Sequence, residues 1–155
     1  MGVQRHVRRD TTMASAPLIL EFDDEYRPTD REPFMSDRQL AYFREKLVVW
    51  KEDLLRGAKG TLDSLRDENA RASDLADRAA AVTDWSIELR ARDRQRKLIS
   101  KIDTALHRID DGEYGYCEVT GEPISLARLE ARPIATMTVD AQERHERRER
   151  MSREG

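Results

Sequence analysis

The chain has 155 residues, with 28 Lys and Arg against 31 Asp and Glu, for a net charge of −3. Charged residues make up 38% where about 25% is ordinary, and hydrophobic residues 38% where about 45–50% is ordinary. This excludes one large compact core, argues against a general DNA binder, and leaves no run of about 18 apolar residues to span a membrane.

Residues 1–35 read as a partly flexible N-terminal arm, with Pro17, Pro28 and Pro33 and a short apolar patch at Leu18-Ile19-Leu20. The apolar run Ala16 to Leu20 is shorter than the roughly 7–15 residues of a signal-peptide core, so a cytoplasmic protein is expected, read from Met1 or from Met13. Ser36-Asp37-Arg38-Gln39 is a capping-box pattern and opens a long helix. Its apolar seam runs Leu40, Phe43, Leu47, Trp50, Leu54, Ala58, Leu62 and Leu65, in steps of three and four. Gly57 and Gly60 weaken its middle.

The seam breaks over residues 68–77, where Ser73 or Asp74 can cap a second helix. That helix has a seam of Val82, Trp85, Leu89, Arg92, Arg96, Ile99, Ile102, Leu106 and Ile109, and Gly112 ends it. Arg92 and Arg96 on the seam imply cross-hairpin ion pairs or a splayed hairpin. Two seamed helices joined by a short turn fold back into an antiparallel coiled-coil hairpin over residues 36–111, with its tip near 70–79. About 30 residues per helix make a rod of about 45 Å. His107 lies between seam positions as a surface residue.

Residues 112–137 form a compact base punctuated by Gly115, Gly121, Pro123 and Pro133. Tyr114, Tyr116, Val119, Ile124, Leu126, Leu129 and Ile134 supply a small core, with short strands about a turn at Thr120-Gly121. Residues 138–155 read as a solvated terminal helix, its Arg and Glu interleaved. The fold class is therefore mainly α: a long hairpin on a small α/β globular base, with a C-terminal helix.

No catalytic signature is present: no Gly-x-Ser-x-Gly, P-loop, Gly-x-Gly-x-x-Gly or His-Glu-x-x-His. His6, His107 and His145 are far apart, and the protein is not expected to be an enzyme. The single cysteine, Cys117, allows no internal disulfide and fits a reducing compartment.

Tyr114-Gly115-Tyr116-Cys117-Glu118-Val119-Thr120-Gly121, followed by Arg128-Leu129-Glu130-Ala131-Arg132-Pro133, resembles the zinc-finger region of the DksA/TraR family. Leu40-Ala41-Tyr42-Phe43-Arg44, Asp74-Leu75-Ala76-Asp77-Arg78-Ala79 and Glu88-Leu89-Arg90-Ala91-Arg92-Asp93-Arg94 extend the likeness over residues 34–150. The resemblance implies a bacterial transcription factor that enters the secondary channel of RNA polymerase without binding DNA. It implies modulation of open promoter complexes with the alarmone ppGpp, repressing ribosomal RNA promoters in the stringent response. By the same resemblance Asp74, Asp77 and Ala79 form a tip acting at the polymerase active centre, although Asp74 and Asp77 also read simply as helix-capping residues. Lys101 and Arg132 match positions that hold ppGpp together with polymerase, and a third such position, usually Lys, is Gln142 here. A monomer is expected.

The family's Cys-x2-Cys, seventeen residues, Cys-x2-Cys pattern appears here as Cys117, Thr120, Thr138 and Ala141. Structural zinc takes four donors, usually thiolates and imidazoles. One thiolate remains, so a degenerate zinc finger without structural zinc is expected, its base held by Val119, Ile124, Leu129, Ile134, Met137 and Val139. Two rival readings stay open: a coiled-coil adaptor or structural protein, and a transcript-cleavage factor acting through the same polymerase channel. A zinc ribbon that binds nucleic acid is disfavoured by the acidic balance.

Overall fold

Ser36 starts the first helix as the sequence predicts, with one change in the box. Its Oγ accepts the Gln39 N–H at 3.3 Å, while Gln39 Oε1 reaches past it to the Met35 N–H at 2.8 Å. The Gln39 amide also donates to the Thr29 carbonyl at 3.1 Å, and the whole side chain is buried. A fully satisfied buried amide of this kind pins the incoming chain to one geometry. The computed structural model describes residues 25–71 and 75–155, and the Leu18-Ile19-Leu20 patch lies outside them. Among the described residues the chain forms α1 (Asp37–Arg71), α2 (Leu75–Asp110), α3 (Leu126–Ala131) and α4 (Val139–Glu154).

α1 and α2 have 35 and 36 residues, a rod of about 52 Å at about 1.5 Å per residue. α1 continues through Gly57 and Gly60. The two helices pack antiparallel. Arg44 pairs with Asp110, and Lys51 with Asp103 at 2.6 Å, so the partners step seven residues along each helix in opposite directions. Seven residues is one heptad, the repeat that keeps a seam aligned.

At the base end the seam is dry. Phe43, Leu47, Ile102, Ala105 and Ile109 are buried and join Tyr114, Cys117, Ile124 and Leu129 in one core. The α1 seam follows the sequence reading through Leu62, and the Leu65 side chain is outside the described residues. The α2 seam differs. Ile109 and Ile102 set a phase that carries back by heptads to Gln95, Glu88 and Ala81, all half-buried. Val82, Leu89 and Arg96 sit one residue off that phase and are exposed. The buried base end fixes the phase of this continuous helix, so farther out several inward positions carry polar side chains. Arg92 keeps a half-buried place, and neither Arg92 nor Arg96 has an ion-pair partner among the described residues. The Gln95 side-chain oxygen is buried with no hydrogen-bond partner.

Beyond α2 the chain turns at Gly112, whose φ of +76° favours glycine. In place of the expected short strands there is one isolated antiparallel bridge between Tyr116 and Pro123. The Cys117 N–H donates to the Glu122 carbonyl at 2.8 Å, and Ile124 N–H to Gly115 O at 2.7 Å. Val119 and Val139, expected in the core, are exposed at 62% and 50%. Ile124 and Leu129 are fully buried, and Ile134 and Met137 pack against them.

The base is clamped to the hairpin. Lys46 donates to both the main-chain and side-chain oxygens of Glu130, and Tyr42 Oη donates to the same carboxylate at 2.7 Å. Burial opposes the Glu130 charge, but Lys46 and Tyr42 outweigh it and hold the carboxyl below its ordinary range. The Tyr114 hydroxyl donates to the Pro133 carbonyl at 2.8 Å inside the core, and burial pushes its pKa up. The arm segment closes the far side. Phe34 packs edge-on to Tyr116, and Tyr26 edge-on to Tyr42.

Candidate functional site

Ser125 caps α3 by accepting the Arg128 N–H, and Thr138 caps α4 by accepting the Ala141 N–H. These two caps fix the angle between two short-range elements that face the base end of α2. A cavity of about 340 Å³ opens between them. α2 lines it with Lys101, α3 with Arg128 and its C-cap Arg132, and α4 with Gln142, His145 and Glu149. Arg128 is held in place, its Nε donating to the Met137 carbonyl at 2.9 Å. Among the described residues none of Lys101, Arg128 and Arg132 has an ion-pair partner, although seven such pairs occur elsewhere and an eighth, His145 with Glu149, lies on the cavity wall itself. Three cations against one carboxylate, Glu149, leave the concavity with a positive potential that suits an anion with several charged oxygens.

Lys101, Arg132 and Gln142, separate in sequence, therefore share one cavity wall. Gln142 donates its amide to Glu146 at 2.9 Å. Arg128 and His145 are further members that the sequence reading missed. The available signal was two arginines four residues apart in a short helical stretch, although Arg132 falls at the C-cap of α3, just past its last helical residue. His145 had a weaker one: it follows Gln142 by three residues on a helix.

Of the tip candidates, Asp77 and Ala79 fall at the other end of the rod. Asp74 lies outside the described residues. Asp77 belongs to the first turn of α2, but its side chain is also outside them. Ala79 is exposed. Some 22 residues of helix separate Ala79 from Lys101, about 33 Å along the axis. The two groups of candidate residues therefore cannot meet within one chain.

The four zinc-ligand positions have become a different device. Cys117 is buried at 3% exposure. Burial opposes its thiolate, but the Thr120 hydroxyl and the backbone N–H groups of Thr138, Thr120 and Val119 outweigh that and bring the thiol down to about 6. Thr138 spends its hydroxyl as the α4 cap, and Ala141 is a buried methyl with no donor. Among the described residues no group of three His, Cys, Asp or Glu is placed to hold a metal. One sulfur and two hydroxyls do not make the donor set a structural zinc takes, so the residues present do not fit that ion.

A two-helix coiled-coil hairpin standing on a small knuckled base, with a cationic cavity where base and hairpin meet, defines the class of protein. Residues 39–109 match the family described as DnaK suppressor protein DksA, N-terminal domain, and residues 112–147 match the prokaryotic dksA/traR C4-type zinc finger. The chain is 62% identical to the RNA polymerase-binding transcription factor DksA of Caulobacter vibrioides, over 92% of this chain and 99% of that one. It is 41% identical to the protein of the same name from Escherichia coli K12, over 96% and 97%. Among solved structures, transcription factor DksA2 from Pseudomonas aeruginosa aligns with a TM-score of 0.71 at 41% identity, covering 77% of this chain and 95% of that one. The chain belongs to the DksA family.

Proposed function

We propose that this protein is a non-enzymatic transcription factor that binds RNA polymerase through the secondary channel and sets promoter output together with ppGpp. The relatives named above carry RNA polymerase binding in their names. The observation that carries the ligand half of the reading is the cavity where Lys101, Arg128 and Arg132 lie unpaired. A nucleotide carrying two diphosphates is the right chemistry for three cations that make no ion pair. The rod carries the other half. At about 52 Å it delivers Asp74, Asp77 and Ala79 deep into a channel while the base stays outside.

In this reading the base binds at the polymerase rim with ppGpp held between the two proteins, and the tip carboxylates destabilise the open complex. No DNA contact is needed, the protein works as a cytoplasmic monomer, and its base stands without zinc. No helix among the described residues is long and apolar enough to cross a membrane.

The test is transcription from a ribosomal RNA promoter with the cognate polymerase, with and without ppGpp. The wild type inhibits, ppGpp deepens the inhibition, and Asp74→Asn abolishes it, since Asn keeps a cap but loses the charge. Full activity of Asp74→Asn refutes the tip mechanism. An adaptor reading draws on Val82, Ile87 and Leu89, which are exposed on the distal half of α2. It predicts self-association of the purified chain and indifference of its activity to tip charge.

A further inference from the structure

One group on the cavity wall is left without a role by three fixed cations and a neutral glutamine. His145 lies one turn beyond Gln142 on α4 and lines the same cavity, half exposed. Its Nε2 is 3.4 Å from Glu149 Oε1, and Glu149 is the one carboxylate on the wall.

We propose that His145 is the proton-dependent fourth cation of this cavity, so that an anion carrying several phosphates binds together with a proton. The inference rests on the reading of the cavity as the ppGpp site and deepens it. The charges that face the imidazole decide its sign. From α2 comes Lys101, from α3 and its C-cap come Arg128 and Arg132, and from α4 itself comes Glu149. In the empty cavity three cations oppose an added positive charge and one carboxylate supports it. Phosphate oxygens reverse that balance. They neutralise the cations and give the imidazolium N–H groups acceptors to pair with. Binding and protonation therefore assist each other, and by linkage the affinity for the anion rises as the pH falls. Gln142 accounts for why a histidine is useful here: its amide is engaged by Glu146 and brings no charge. A half-exposed charge-assisted contact amounts to about threefold to fivefold in affinity.

The experiment titrates labelled ppGpp onto the complex of this protein with RNA polymerase at pH 6.5 and pH 8.0, after subtracting binding to polymerase alone. Wild type, His145→Gln, His145→Arg and Lys101→Ala are compared. Both substituted positions are solvent-accessible, so the variants fold. Protonation of the phosphates themselves affects every variant alike, so the readout is the ratio of affinities at the two pH values relative to His145→Gln. The wild type gains about threefold to fivefold at pH 6.5 over His145→Gln. His145→Arg binds with the enhanced affinity at both pH values. Equal pH ratios for wild type and His145→Gln, with Lys101→Ala still weakened, overturn the role of His145 and leave the cavity reading intact. Unchanged binding by Lys101→Ala at both pH values refutes the cavity reading and the inference with it.

Discussion

Removing the Cys117 sulfur tests how a knuckle with one of four cysteines holds together. The thiol is brought from an ordinary value of 9.0 to about 6 by the donors around it. A tenfold change in proton affinity is worth about 1.4 kcal/mol, so at pH 7.5, about 1.5 pH units above the folded value, the thiolate contributes about 2 kcal/mol. Cys117 borders a shallow surface concavity beside Arg108 and Glu118, and solvent screening there lowers the figure to about 1–2 kcal/mol. The folded state favours the anion. The contribution is therefore complete above pH 9 and disappears as the pH falls through 6. Urea unfolding of wild type and Cys117→Ala, with reductant and chelator present, measures it directly. The gap between the two proteins is expected to be about 1–2 kcal/mol wider at pH 7.5 than at pH 5.5. Lost packing of the sulfur adds a further penalty that does not change with pH. A gap of constant size from pH 5.5 to 8.5 refutes the reasoning and leaves Cys117 as a space-filling side chain.

Two further substitutions probe the same base. Gly115 has a φ of +88°, and a Cβ placed there falls 2.8 Å from both Cγ and Sδ of Met35. Gly115→Ala should cost about 1–3 kcal/mol in denaturant unfolding; adding Met35→Ala should recover the clash but not the backbone strain, so full recovery contradicts the φ argument. Tyr114→Phe leaves the buried Pro133 carbonyl without its 2.8 Å partner. It should destabilise by about 1–2 kcal/mol and lower the melting temperature by several degrees, with the pH dependence of stability unchanged below about pH 9, where tyrosine stays protonated in both states.

Much of the architecture was legible because it is local. The Ser36 cap, the α1 seam and the stop at Gly112 are each written within a few residues. The α2 seam holds at Trp85, Arg92, Ile99, Ile102, Leu106 and Ile109 and is off by one residue at Val82, Leu89 and Arg96, because its apolar side chains follow two phases. Ile102 and Ile109 belong to one, Val82 and Leu89 to the other. Only the tertiary burial of the base end says which phase wins, and it leaves Glu88 and Gln95 facing inward. Val119 and Val139 were misplaced for a related reason. Each is apolar beside a zinc-ligand position, yet Cys117 and Ala141 take the interior places there. Lys101, Arg132 and Gln142 entered through family likeness. That Arg128 and His145 join them depends on how two capped helices meet, which no local pattern encodes.

The seam of the hairpin is graded from one end to the other. Near the base it is closed by Phe43, Leu47, Ile102 and Ile109, and farther out it admits Gln95, with an oxygen that finds no partner, and then Glu88. A beam built this way is clamped at its root and compliant along its free length. Bending or brief separation of the helices is cheapest outward of Gln95, where little apolar contact is lost and an orphaned oxygen gains water. The free end can then follow the walls of whatever passage it enters, while the cationic cavity at the root keeps its shape.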